Sequence, residues 1–282
     1  MKISQKIALR YARARINILS LSSTRKAAVM AFRLFCTPQR RSVEKGSPLF
    51  ARGKRLSFKY EGHTIRGRVW LPASPPTKKT LIAHGFESSS QAFEDYIAAL
   101  LDKGYEVVAF DAPAHGRSGG RRVTLPKYMG ILRVIEQNYG PFNSYIGHSL
   151  GGLALALFLE TTSHNENTRL VLIAPAVETS TALYAFARLL HLEPAVVHEI
   201  DDYIQETSGQ HVAWYSLRRA VHNIHARILY VQDDDDKITP SREARNIQGD
   251  GHPAIRFIFT KGLGHRRIYQ DPGSIARILR FL

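Results

Sequence analysis

The feature that most limits how this chain can fold is a series of short, uninterrupted apolar runs. They are "TLIAH" (80–84), "EVVAF" (106–110), "SYIG" (144–147), "LVLIA" (170–174), "RILYV" (227–231) and "IRFIF" (255–259). A strand with one wet face alternates apolar and polar residues, whereas a strand covered on both faces is apolar throughout. Helical stretches separate the runs, and that alternation predicts an α/β fold built on a mostly parallel, doubly wound sheet. Two alternating runs, "LSFKY" and "TIRGRVWL", come first and meet at Glu61-Gly62, so a hairpin is expected to open the sheet. Residues 178–225 break the rhythm with helical, strandless sequence, which predicts a helical cap placed as a lid over the carboxyl edge of the strands.

In doubly wound sheets ligands bind beyond the carboxyl ends of the strands, so the residues after each run carry the chemistry. After "SYIG" comes "HSLGGLALALFLE", which puts Ser149 in a sharp strand-to-helix turn between Gly147 and Gly151. That is the setting of a nucleophile elbow: a strained serine with small neighbours that let adjoining elements pass close by. A serine hydroxyl needs a base, and the base needs an orienting acid. The loop after "RILYV" offers Asp233, Asp234, Asp235 and Asp236, and the loop after "IRFIF" offers His265. The chain order is therefore Ser, Asp, His. The helix start after Ser149 also supplies backbone N–H donors and a favourable field for a developing oxyanion.

Residues 56–282 resemble the α/β-hydrolase fold superfamily, in particular its small serine esterase and lipase-like members. Four segments carry the likeness: "LIAHGF", "FDAPAHGRS", "GHSLGG" and "GLGHRRI". The resemblance implies an acyl-enzyme mechanism on a carboxylic ester of a small or lipid-like molecule, with Ser149 as nucleophile and His265 as base. It implies Asp236 as the acid, because the family's acid commonly stands four residues before a proline and Pro240 is in that place. It implies the backbone amides of Phe86 and Leu150 as the oxyanion hole. The chain departs from the family at Asp233, where a glycine is usual. A non-catalytic binding protein on the same fold is the alternative class, and amide, thioester or carbon–carbon cleavage are alternative reactions. No cofactor is expected. No metal is expected either, since His222 and His225 stand at i, i+3 without a carboxylate or cysteine pattern. Arg117, Arg121 and Arg122 form a basic loop near the expected active edge. "GHSLGG" lacks both nucleotide-loop spacings.

The net charge of +15 suggests a nucleic-acid partner until it is divided along the chain. Residues 1–55 hold 14 basic residues and one acid, Glu44, while residues 56–282 hold 25 basic and 23 acidic residues. The charge thus belongs to a basic helical N-terminal extension, 1–55, ahead of a near-neutral domain, 56–282, and no nucleic acid is expected. In the extension Lys2, Lys6, Arg10 and Arg13 follow helical spacing beside an apolar line of Ile3, Ile7, Tyr11, Ala14 and Ile18. Such a helix either docks on its own domain or makes peripheral contact with an anionic membrane. "TRKAAVMAFRLFCTP" predicts a second helix, closed by Thr37-Pro38. No apolar run approaches ~20 residues, so no membrane span is expected. Cys36 is the single cysteine and cannot form an internal disulfide, which makes the cytoplasm the expected compartment. A mitochondrial presequence would apply only to a eukaryotic source.

Overall fold

The computed structural model describes residues 3–42 and 46–282, with side chains from residue 9 onward. Lys2, the side chains of Ile3, Lys6 and Ile7, and Glu44 lie outside the described residues. Eight strands form one sheet: β1 (Lys54–Tyr60), β2 (His63–Trp70), β3 (Lys78–Ala83), β4 (Tyr105–Phe110), β5 (Ser144–His148), β6 (Arg169–Ile173), β7 (Arg227–Asp233) and β8 (Ile255–Thr260). Each falls within two residues of a run read from the sequence.

The spatial order is β1-β2-β4-β3-β5-β6-β7-β8. The β1–β2 and β2–β4 pairs are antiparallel, and every later pair is parallel. Glu61 and Gly62 both have positive φ, 44° and 76°, as a two-residue turn needs if its twist is to match the strands it joins.

The described residues form twelve α-helices: α1 (Ile3–Ser22), α2 (Thr24–Phe35), α3 (Pro48–Arg52), α4 (Glu94–Asp102), α5 (Leu125–Tyr139), α6 (Leu150–Leu159), α7 (Thr179–Leu190), α8 (Pro194–Ser208), α9 (Leu217–Ala220), α10 (Ser241–Gly249), α11 (Gly264–Arg267) and α12 (Pro272–Phe281). Helix α6 is buried at every position from Gly151 to Leu159, so its uniformly apolar sequence, "GGLALALFL", has no wet face to serve. On one side of the sheet Tyr96, Ile97 and Leu100 of α4 and Ile278 of α12 share a core with Ile82, Val107, Ile146 and Leu229.

The chain divides into two compact units: Pro38–Val177 with Leu217–Leu282, and Met1–Thr37 with Glu178–Ser216. The first holds the sheet. The basic stretch therefore splits, because residues from Pro38 onward pack with the strands. There Phe50 of α3 lies edge-on to Trp70 at 5.0 Å, and Trp70 Nε1 donates to the Leu49 carbonyl at 3.0 Å.

The second unit is helical and is made of α1, α2, α7 and α8. Ser23 caps α2 by accepting from the Lys26 amide, and Ala27, Ala28 and Ala31 on its inner face are completely buried. Small side chains let α2 and α8 approach closely. Phe32 meets Tyr203 edge-on at 5.6 Å, and Phe35 meets Phe186 at 5.3 Å. Arg25 bonds Glu199 at 3.0 Å and also pairs with Glu206, while its guanidinium lies 5.0 Å from the Tyr203 ring centre. A bridge between Glu178 and Ser216 closes the base of the insertion. None of the described helices is long and apolar enough to cross a membrane.

Candidate active site

Ser149 is the residue between β5 and α6, with φ 52° and ψ −122°. This left-handed conformation is costly for a side chain other than glycine, and it persists only where the surroundings enforce it. Here they do. The Ser149 amide donates to the Ile173 carbonyl at 3.1 Å, and its own carbonyl accepts from Gly152, Leu153 and Ala176. A Cβ at Gly147 would come within 2.6 Å of the Gly152 Cα, and one at Gly151 within 2.4 Å of the Ala83 carbonyl oxygen. The two glycines allow the turn to be this tight.

Ser149 Oγ lies 3.0 Å from His265 Nε2, and His265 Nδ1 lies 2.8 Å from Asp236 Oδ2. The Asp236 side chain is fully shielded from solvent and that of His265 nearly so. Asp236 Oδ1 accepts from the Ile238 and Thr239 amides at 2.8 and 3.0 Å, and Oδ2 accepts from the Thr239 hydroxyl at 2.8 Å. Burial opposes charge on Asp236. The hydrogen bonds from His265 and from the Thr239 and Ile238 amides outweigh it and hold the carboxyl below the usual carboxylate range. An ionised Asp236 fixes the His265 tautomer with its proton on Nδ1, which leaves Nε2 as a lone-pair acceptor for the serine proton.

Asp233 supports the histidine loop from below. Its Oδ1 accepts from the Asp235 and Gly264 amides at 3.0 and 2.8 Å, and its Oδ2 accepts from the Thr260 hydroxyl and the Leu263 amide at 2.7 and 3.1 Å. Burial raises its proton affinity, but these four donors more than offset it and the carboxyl is held below its ordinary range. His265 is also tied through its backbone, since His148 Nε2 donates to the His265 carbonyl at 2.9 Å. That bond makes His148 Nδ1 the bare nitrogen, and it is buried without a hydrogen-bond partner among the described residues. Burial, aided by the nearby His265, pushes the His148 imidazole down to about 3, so it stays neutral while its ring packs 4.7 Å from His265.

The loop after β3 approaches the serine through Gly85, where a Cβ would stand 2.9 Å from both Ser149 Cβ and His148 Nδ1. Two neutral histidines shape it. His84 accepts from the Ala112 amide at 2.9 Å and donates from Nδ1 to the Gly85 carbonyl at 2.8 Å. His115 donates from Nδ1 to the Pro113 carbonyl and accepts at Nε2 from the Glu87 amide at 2.9 Å, holding Glu87 at a φ of 55°. Burial, with His84 close by, lowers the His115 imidazole to about 4. The amides of Phe86 and Leu150 donate to no acceptor among the described residues, in a molecule where the neighbouring Glu87 and Ser149 amides are both paired. Amides left free beside a serine hydroxyl can donate to an anionic oxygen placed there.

The structure therefore brings Ser149, His265 and Asp236 into one hydrogen-bonded chain, with Gly85 beside the serine. Asp234, Asp235 and Asp233 are drawn elsewhere: Asp234 to Arg245 at 2.6 Å, Asp235 to the Gly262 amide at 3.0 Å, and Asp233 to the loop described above. His222 and His225 face different partners, His252 at 6.0 Å and His164 at 5.7 Å. Arg117, Arg121 and Arg122 are exposed in the β4–α5 loop. Sequence reasoning missed Thr239 and the anchoring role of Asp233. The signal for both was present: Thr239 immediately precedes the proline that singled out Asp236, and Asp233 stands where the family has glycine.

Residues 74–201 match the family model described as serine aminopeptidase S33, a span that includes Ser149 and ends before Asp236 and His265. A monoacylglycerol lipase of Mycolicibacterium smegmatis is 29% identical over 169 residues, which cover 55% of this chain and 60% of that one. The monoglyceride lipase of Homo sapiens is 26% identical over 125 residues, 42% of this chain and 41% of that one. The chain thus matches less than two thirds of the length of either relative. Among solved structures, the Pyrococcus furiosus esterase Pf2001 superposes with a TM-score of 0.63 at 18% identity, covering 87% of this chain and 95% of that one. With the strand order, the strained serine turn and the loop placement already in view, these likenesses show that the chain has the α/β-hydrolase fold.

Proposed function

We propose that this protein is a serine hydrolase that cleaves a carboxylic ester through an acyl-enzyme. The observation that carries the reading is the chain Ser149 Oγ–His265 Nε2–Asp236, at 3.0 and 2.8 Å, mounted on a turn strained at the serine. A binding module gains nothing from holding a serine at φ 52° against a base.

His265 Nε2 takes the hydroxyl proton as Ser149 Oγ attacks the carbonyl carbon, and the Phe86 and Leu150 amides donate hydrogen bonds to the carbonyl oxygen as negative charge develops on it. The amino terminus of α6, at Leu150, adds its field to theirs. His265 then delivers the proton to the leaving alcohol. Water repeats the sequence against the acyl-enzyme, with His265 again as base. Throughout, Asp236 remains ionised and stabilises the imidazolium.

The relatives named monoacylglycerol and monoglyceride lipases, and the esterase among the solved structures, favour an ester with a lipid-like acyl chain. From its place in the chain between β6 and β7, Glu178–Ser216 is read as the lid that selects this chain. The matching family model carries a peptidase description, so amide cleavage is the second reading. Rates on p-nitrophenyl esters of increasing acyl length, set against aminoacyl p-nitroanilides, separate the two. Turnover of the esters with a preference for longer chains is the expected result. Turnover of the anilides with inert esters would replace the esterase reading by the peptidase one.

A further inference from the structure

The described part of the apolar line that the sequence places on α1, from Tyr11 to Ile18, faces solvent. Tyr11 is 63% exposed, Ile18 68% and Leu21 89%, and Ala14 between them is exposed as well. The helix packs instead through the opposite side, where Ile16 is completely buried. At 100° per residue, Tyr11, Ala14, Ile18 and Leu21 share one stripe, bordered by Arg10 on one side and Arg15 on the other. The Arg15 guanidinium lies 5.6 Å from the Tyr11 ring centre.

The arrangement continues between α1 and α2. A groove of about 440 Å³ there is lined by Leu19, Val29 and Met30 together with Arg15, Arg25, Lys26 and Arg33. Among the described residues no carboxylate pairs with Arg10, Arg13, Arg15, Lys26 or Arg33, whereas Arg25 is engaged by Glu199 and Glu206. Between Ile3 and Thr37 the sequence contains no acid at all. Large apolar side chains held in water next to unanswered cations are a cost to a folded protein unless something covers them.

We infer that the outer face of α1 and the α1–α2 groove dock on an anionic lipid surface. Leu21, Ile18 and Tyr11 enter the boundary between head groups and acyl chains, and the arginines meet the head-group phosphates. Charge complementarity selects this occupant: a neutral apolar partner would leave five cations unanswered, and an acidic partner without apolar depth would leave Ile18 and Leu21 wet. The inference does not depend on the ester-hydrolase reading. Its test is a binding measurement, which an inactive enzyme would pass or fail in the same way.

Flotation of the full chain with phosphatidylcholine vesicles, prepared with and without phosphatidylglycerol, tests it. The protein is expected to float with the phosphatidylglycerol vesicles, to stay down with phosphatidylcholine alone, and to be released by added salt. Replacing both Ile18→Ser and Leu21→Ser is expected to weaken binding by at least about tenfold. Replacing Arg10→Gln and Arg15→Gln should weaken it roughly fivefold per residue. Circular dichroism confirms that each variant is folded. A wild type that ignores both vesicle types would overturn the inference, as would folded variants that bind as well as wild type. A dimer on light scattering that dissociates in Ile18→Ser/Leu21→Ser, with no vesicle binding, would assign the face to a second copy of the chain and overturn it equally.

Discussion

The two compact units treat charge in opposite ways. In the sheet unit the decisive ionised groups are buried and answered on every side: Asp236 accepts from His265, Ile238 and Thr239, and Asp233 accepts from four donors in two loops. In the helical unit Arg10, Arg13 and Arg15 of α1, with Lys26 and Arg33 of α2, are exposed without carboxylate partners among the described residues. A buried carboxylate that loses a donor has no water to replace it, so a single atom carries kilocalories. A basic surface acts through a sum of small terms that no one residue commands. Chemistry should therefore fail at single substitutions in the first unit and fade gradually in the second.

The largest expected effect is at Ser149. Ser149→Ala should lower kcat by ~10⁴–10⁶ while leaving the fold intact, as rates and melting curves measured together would record. Next comes Asp236→Asn, which preserves shape but offers His265 the wrong tautomer, with an expected loss of about 10⁴ in kcat. Loss of activity with the KM little changed is the signature to look for. Thr239→Val removes one donor to the same carboxylate and should cost far less, roughly tenfold.

The anchoring aspartate gives a different signature. Asp233→Asn turns one acceptor oxygen into a donor that faces the Leu263 or Gly264 amide. It is expected to cost about 2–4 kcal/mol of stability and to loosen His265 as well. Chemical denaturation and kcat measured on one preparation would expose the coupling; a variant with wild-type stability would remove Asp233 from this role.

These residues also mark how much was legible in the sequence. Six strands were, because strands covered on both faces need unbroken apolar runs, and the first two were, because they alternate around Glu61-Gly62; the turn at Ser149 was, because a glycine-flanked serine between strand and helix fits few other roles. Choosing Asp236 from four adjacent aspartates was possible only through Pro240. What escaped depends on geometry rather than residue type. Nothing in "DDDD" says that the first carboxylate reaches forward to Gly264, and an apolar line on α1 does not tell whether it faces protein or water. Periodicity locates a stripe and is silent on what covers it.

A smaller effect concerns pH. His148 and His115 are held neutral, at about 3 and about 4, whereas an unfolded chain protonates its histidines near 6.5. Their folded pKa values are depressed, so stability is full above the unfolded value and is lost as pH falls below it. Each should contribute a loss of roughly 2 kcal/mol between about pH 7 and pH 5. Denaturation midpoints across that range would test this, and a flat profile would show that other groups compensate. The smallest effect belongs to the helical unit: Arg10→Gln and Arg13→Gln should each change stability by no more than about 0.5 kcal/mol.

The most direct test of the central claim is covalent labelling by a fluorophosphonate, read by intact mass on the wild type and on folded Ser149→Ala. An activated serine predicts a single adduct on the wild type, mapped to the peptide that contains Ser149, and none on the variant. A folded wild type that takes no adduct, or an adduct that survives in Ser149→Ala, would contradict the account of Ser149, His265 and Asp236 as one working unit.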